Sequence, residues 1–213
     1  MASRDYGEYG GITRGLELVG ERWALLIVRD LLVGPKRYGE LAAGLPRIPT
    51  NILAARLKEL QAAGVLRRAP RSRIIVYELT PYGRELEPVV LALGAWGFKA
   101  LGEPREEQVI TADSMTMDLR TAFRPAVAAT LPSTSYAARL GAAELLIRVD
   151  GSALDVTRGD GPADFTFAAG PDIRRVISGE LAAEHAISTG VVEVLGGRGA
   201  LLDRFATTFH LAA

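Results

Sequence analysis

Four arginines, Arg67, Arg68, Arg71 and Arg73, fall within seven residues, and no acid interrupts them. Such a run suits a polyanion, because each cation that meets a phosphate releases condensed counterions. Shortly before it, the segment IPTNILAARLKELQAAGV (residues 48–65) carries Thr50, Asn51, Arg56 and Lys58. Arginine can pair with the edge of guanine and asparagine with that of adenine, so Thr50, Asn51 and Arg56 are candidates for base edges. Arg37, Tyr38, Arg47, Lys58, Arg71 and Arg73 suit phosphate oxygens, which set register and salt dependence but not base preference. Arg56 fits either group, since it stands one position before Leu57 and faces partly sideways.

Other chemistry is sparse. The chain has no cysteine, which excludes disulfides, thiolate metal sites and a cysteine redox sensor. His185 and His210 are its only histidines, too few for an imidazole zinc site. His185 follows Glu184, but no second base or nucleophile joins them in a motif. The glycine-rich residues 196–199 lack the Lys-Ser/Thr of a phosphate loop and read as a turn between strand and helix. Asp150, Asp155, Asp160, Asp164 and Asp172 mostly fall at turns, where aspartate bonds its own backbone. No catalytic residue, metal or cofactor is expected, and the chain is not expected to be an enzyme.

The candidate base readers need a helix, and the pattern predicts one. Ile48, Ile52, Leu53, Leu57 and Leu60 recur at helical spacing and form an apolar back. The front is small, polar or cationic: Thr50, Asn51, Ala54, Ala55, Arg56 and Lys58. Pro49 suits a first turn and Gly64 a left-handed end. A helix of this kind is what a major groove admits. Upstream, short helices are predicted over 12–19, 21–33 and 38–43, the second offering Trp23, Leu26, Ile27, Leu31 and Leu32 to a core. The last is joined to residues 49–62 by Leu45-Pro46-Arg47, a helix-turn-helix arrangement. Downstream, residues 66–79 predict strand, cationic tip and strand. Thr80-Pro81 then opens a helix over 82–101 whose Leu86, Val89, Val90, Leu93, Trp96 and Phe98 exceed what a small domain covers, a natural dimer seam.

Composition agrees with two domains. Of 213 residues, 48% are hydrophobic and 23% charged, the balance of a soluble globular protein. The net charge of zero conceals a division: residues 1–101 hold 15 lysines and arginines against 10 acids, and residues 102–213 hold 10 against 15. The basic half suits phosphates. No apolar run reaches the length of a membrane span, and MASRDYGEYGG has no signal core. A cytoplasmic protein without membrane partners is expected, bacterial by its Ala/Gly/Arg/Leu-rich composition.

The words LELVGERWALLIVRDLLVGPKRYGEL, IPTNILAARLKELQAAGVL and VYELTPYGRELEPVVLALGAWG occur in that order over residues 12–101. This half resembles the HxlR-type winged-helix regulators, relatives of the MarR group. The resemblance implies a homodimer on an inverted repeat of double-stranded DNA, with the helix over 49–62 in the major groove and the Arg71–Arg73 tip as the wing. Many members carry a cysteine just before the first helix. This chain does not, so thiol-based sensing is unavailable to it.

After a charged boundary at 102–108, residues 109–129 predict a helix that Pro125 interrupts or bends. Strands follow over 133–140, 143–149, 154–158 and 163–169, with Asp150-Gly151 as a hairpin turn. Short helices are predicted over 171–178 and 182–188, then a strand over 191–195 and a last helix over 199–209. The class is α+β. The -FTF- strand, the SGEL turn at 178–181, the STG at 188–190 and the closing apolar helix resemble the sterol-carrier-protein-like fold, over residues 109–213. That resemblance implies a sheet and helices around an apolar tunnel for a lipid-like ligand, with Phe123, Phe165, Phe167, Ile177, Leu181, Leu202, Phe205 and Phe209 as lining. Residue by residue these side chains read first as plain core, and only a cavity distinguishes lining from core.

The expectation is a DNA-binding domain at 1–101 and a ligand-binding domain at 109–213, forming a homodimeric regulator that answers a hydrophobic small molecule. A C-terminal domain used only for dimerisation or partner binding, and a lipid carrier that no longer binds DNA, remain open.

Overall fold

The computed structural model describes residues 5–105 and 107–212. What was expected of residues 1–4 in the N-terminal stretch, of 106 in the boundary segment and of 213 lies outside the described residues. The chain divides into two units, Met1–Val90 and Leu91–Ala213.

In the first unit α1 (Gly11–Val19), α2 (Ala24–Val33), α3 (Tyr38–Gly44) and α4 (Thr50–Ala62) precede a hairpin of β1 (Leu66–Arg71) and β2 (Ile74–Leu79). The second helix begins later than its apolar pattern suggests. Glu21 to Trp23 form a turn in which Trp23 is left-handed (φ 81) and the Ala24 N–H reaches the Glu21 carbonyl at 3.0 Å. Ala24, Ile27, Val28 and Leu31 then make the buried stripe at i, i+3, i+4 and i+7. Leu26, expected in the core, falls off that stripe and is exposed.

The back of α4 buries Leu53, Leu57 and Leu60, while Ile48 and Ile52 are only half-buried. Pro49 precedes the helix in extended conformation, one position earlier than expected. Gly64 is left-handed (φ 72), as the chain must be to leave the helix for β1. The hairpin pairs Leu66 with Leu79 and Arg71 with Ile74, its turn passing through Ser72 at φ 55. Lys36 and Tyr77 exchange two backbone hydrogen bonds, 2.9 and 2.7 Å, which tie the α2–α3 loop to β2.

Thr80 caps α5 (Pro81–Arg84) by accepting the Gly83 N–H, and its hydroxyl donates to the Gly64 carbonyl at 2.6 Å. A Cβ on Gly83 would stand 1.9 Å from the Val65 carbonyl oxygen, so no larger residue fits. The single helix expected over 82–101 is two. Pro88 has no N–H to bond the Arg84 carbonyl and its ring would meet that carbonyl, so the chain turns at Glu85-Leu86 and restarts as α6 (Glu87–Phe98). None of the α6 side chains is buried.

In the second unit α7 (Ala112–Ala122) and α8 (Pro125–Ala128) precede β3 (Thr134–Leu140), β4 (Ala143–Asp150), β5 (Ala153–Arg158) and β6 (Phe165–Ala169). Then come α9 (Ile173–Ile177), α10 (Ala183–Ser188), β7 (Val192–Gly197) and α11 (Leu201–Thr208). The sheet order is β5-β4-β3-β6-β7, antiparallel except for the parallel pair β3–β6. Since β4 and β5 occupy one side of β3, the chain must cross to its other side to add β6. Thr111 caps α7 by accepting the Ser114 N–H, and Asp113, fully buried, meets Arg158 of β5 at 2.7 Å. The core gathers Leu119, Tyr136, Ile147, Phe165, Phe167, Leu202, Phe205 and Phe209 between sheet and helices. Burial pushes the Tyr136 phenol up to about 12, so it stays neutral there. Among the described residues no helix is long and apolar enough to cross a membrane.

Candidate nucleic-acid interface

With its leucines turned inward, α4 presents Thr50, Asn51, Ala54, Lys58 and Gln61 to solvent. Thr50 and Asn51 stand in the first turn, where a helix entering a groove brings its side chains to base edges. Tyr38 heads α3, and its hydroxyl donates to the Thr50 carbonyl at 2.8 Å. It therefore fixes the start of α4 as well as standing near the expected phosphates. Arg37 precedes α3 and is exposed, its N–H satisfied by Glu40. Arg47 lies exposed in the connection between α3 and α4.

Arg56 departs from expectation. Its guanidinium lies 3.2 Å from Glu21 and also pairs with Glu59, with only 11% of the side chain exposed. Two carboxylates neutralise it, and its flank position beside buried Leu57 keeps it off the front. These pairs tie α4 to the turn before α2.

At the hairpin, Arg73 is exposed at the turn, whereas Arg71 and Arg67 converge on Glu78 at 3.0 and 2.8 Å. Both arginines remain more than half exposed. Hydrogen bonds from Arg71 and then from Arg67 hold the Glu78 carboxyl below its usual range. The clasp is thus present above that lowered value and is lost as pH falls through it. Replacing Glu78 with glutamine leaves both guanidiniums to phosphate. Expected is tighter DNA binding with a salt slope steeper by up to about one unit per arginine released, read from a titration at several salt concentrations. An unchanged slope would place both arginines away from DNA.

Sequence reasoning left out Gln61 and Arg68 as site residues. Arg68 lies over the Tyr77 ring, 5.9 Å from its centroid. Together with Tyr38, Ala54, Lys58 and Gln61 they line a surface groove between α4 and the hairpin. The signal was available: Gln61 follows Lys58 by three positions and Ala54 by seven, on the same helix face.

Of the eight side chains expected to line a tunnel, seven lie in the buried cluster of this unit and Phe123 packs against it. Phe205 lies 5.3 Å from Tyr136, 5.3 Å from Phe167 and 4.7 Å from Phe209 between ring centroids. Phe165 stacks on Phe167 at 5.4 Å, and half-buried Phe123 tilts on Phe209 at 5.8 Å. Leu181 and Leu202 are buried in the same cluster. Rings at these separations fill the space between sheet and helices. Ile177 also borders an apolar pocket, one built mainly from other residues. Among the described residues no group of three or more His, Cys, Asp or Glu side chains is placed to hold a metal ion.

A family model described as HxlR-like helix-turn-helix matches residues 18–105. An uncharacterized HTH-type transcriptional regulator of Mycobacterium tuberculosis is 41% identical over 107 residues, 49% of this chain and 66% of that protein, just under two thirds of its length. The HTH-type regulator YtcD of Bacillus subtilis is 39% identical over 85 residues, 38% of this chain and 68% of the relative. A crystal structure of an HTH-type regulator ytcD is 35% identical and covers 45% of this chain and 100% of its own, with a TM-score of 0.41.

Proposed function

The chain belongs to the HxlR-like helix-turn-helix family, and we propose that it is a transcriptional regulator that reads an operator as a homodimer and answers a small hydrophobic molecule through its C-terminal unit. The observation that carries the DNA-reading part is the front of α4. Thr50, Asn51, Lys58 and Gln61 stand exposed over a fully buried leucine back, beside a hairpin rich in exposed arginines. Burial spends the apolar residues on the fold and leaves hydrogen-bonding and cationic groups for the groove.

The homodimer reading is supported by α6. Val89, Leu93 and Trp96, at i, i+4 and i+7, form one apolar stripe, and Trp96 is 73% exposed. Aromatic anchors of this kind dominate interfaces. Trp96→Asp should raise the dimer dissociation constant by roughly thirtyfold or more, measured by sedimentation equilibrium. A dimer unaffected by the change would put the seam elsewhere.

The ligand part rests on the C-terminal unit. The run of a three-strand meander, the Phe165–Ala169 strand, α9, the 178–181 turn, α10, β7 and α11 supports a sterol-carrier-protein-like reading. The filled aromatic cluster, on the other hand, favours the second reading, a C-terminal unit that serves dimerisation or a protein partner. Ligand control requires unequal affinity for the two arrangements of the recognition helices, since equal affinity shifts nothing.

One experiment tests the whole proposal: binding of the purified protein to its own upstream DNA across a salt series, with hydrophobic compounds added. Sequence-dependent binding that a compound releases supports both halves. Binding that no compound disturbs favours the partner module. Absence of specific binding overturns the regulator and leaves a carrier.

A further inference from the structure

The second unit contains an apolar pocket of about 210 Å³. Its walls come from Phe98 and Ile110, in the stretch that ends α6 and leads to α7, from Met115 on α7, and from Ile173 and Ile177 on α9. The volume exceeds the ~150 Å³ of an apolar cavity that holds benzene. It falls below the ~300–1,000 Å³ of sites for drug-sized molecules. A single ring with a short chain, or a medium-length alkyl chain, matches it.

The cation that borders this pocket is Arg174. Its side chain is only 14% exposed, and its Nη2 donates to the Glu103 carboxylate at 2.6 Å. Glu180 lies farther away, 3.8 Å from Nη1. Nε is buried and makes no hydrogen bond. A guanidinium binds a carboxylate best through two parallel N–H donors, so one edge of Arg174 is half used. Glu103 itself is 81% exposed and sits between Gly102 and Pro104, both of which border the pocket. Asp118 borders it too, but is exposed to water, which weakens its repulsion of an anion.

We propose that this pocket takes a small carboxylic acid with a hydrocarbon body, its carboxylate replacing that of Glu103 on Arg174 and its hydrocarbon among Phe98, Ile110, Met115 and Ile173. The proposal rests on the ligand-responsive reading above and moves the site from the aromatic cluster to this pocket. Glu103 loses little by returning to water, because an ion pair with so exposed a partner is worth little. The incoming carboxylate gains both Nε and an Nη of a guanidinium that is only 14% exposed. The exchange frees residues 102–105 from Arg174. That segment continues the chain directly from α6, which carries the apolar stripe, so occupancy of the pocket acts on the same stretch of chain as dimerisation.

The test titrates the full-length protein with octanoate, 1-octanol and acetate by isothermal titration calorimetry. Octanoate is expected to bind once per chain, octanol about tenfold or more weaker, and acetate not measurably. Arg174→Gln should lower octanoate affinity to that of octanol. Glu103→Gln, a change at an exposed position that leaves the fold intact even where Arg174→Gln does not, should raise octanoate affinity several-fold. Octanol binding as well as octanoate, or Glu103→Gln leaving octanoate affinity unchanged or lower, overturns the carboxylate exchange. Binding of neither compound overturns the site altogether. Operator binding by the same unliganded preparation shows separately whether the DNA-reading half stands.

Discussion

Phe205→Ala should destabilise the C-terminal unit by about 3–5 kcal/mol, the range for removing a buried aromatic ring from a packed core. The ring is fully buried and meets Tyr136, Phe167 and Phe209 with centroids 4.7 to 5.3 Å away. Its removal loses both the area withheld from water and the edge contacts of three neighbours, and leaves a void that rigid strand residues cannot fill. Urea unfolding followed by circular dichroism measures it, with the loss confined to one of two transitions if the units unfold separately. The number also decides between core and lining. A side chain facing a ligand tunnel is packed on one side only, so a cost below about 1 kcal/mol would return Phe205 to the tunnel. Phe167→Ala provides the matching check, because Phe167 shares the cluster from the sheet side.

The second large effect is expected at Asn51. Asn51→Ala should cost about 1–3 kcal/mol of operator affinity for each half-site, and in a homodimer both half-sites lose it. The loss should relax base preference at one position and leave the salt slope unchanged, because asparagine displaces no counterion. Arg73→Ala supplies the contrast: weaker binding to every sequence and a shallower slope by about one unit per subunit. Fluorescence anisotropy with operator and scrambled duplexes at several salt concentrations separates the two. Equal losses on both duplexes for Asn51→Ala would mean that the front of α4 does not read bases.

The two units of the chain were not equally legible in the sequence. Helix α4 was, because its leucines at 53, 57 and 60 repeat at the helical period and Gly64 marks its end, both properties of neighbouring residues. The hairpin tip was legible for the same reason. The break at Glu85-Leu86 was also written locally, in Pro88, but the continuous apolar pattern around it masked the signal. Leu26 shows the limit of pattern reading inside an all-apolar stretch, where only the neighbours say which face is buried.

What the sequence by itself determined is therefore the series of elements and the exposed chemistry of α4, because helix, strand and turn preferences act over a few residues. Tertiary structure alone decided the rest. Arg56 became an anchor because the fold brings Glu21, 35 positions earlier in the chain, to within 3.2 Å of it. Phe165, Phe205 and Phe209 became core because β6 adds beside β3 and α11 closes over them. Arg174 came to border a pocket because Phe98, Leu101, Val109 and Ile110 come together with α7 and α9. Each is a contact between residues distant in the chain. Their proximity depends on which faces bury together, and no local period encodes that.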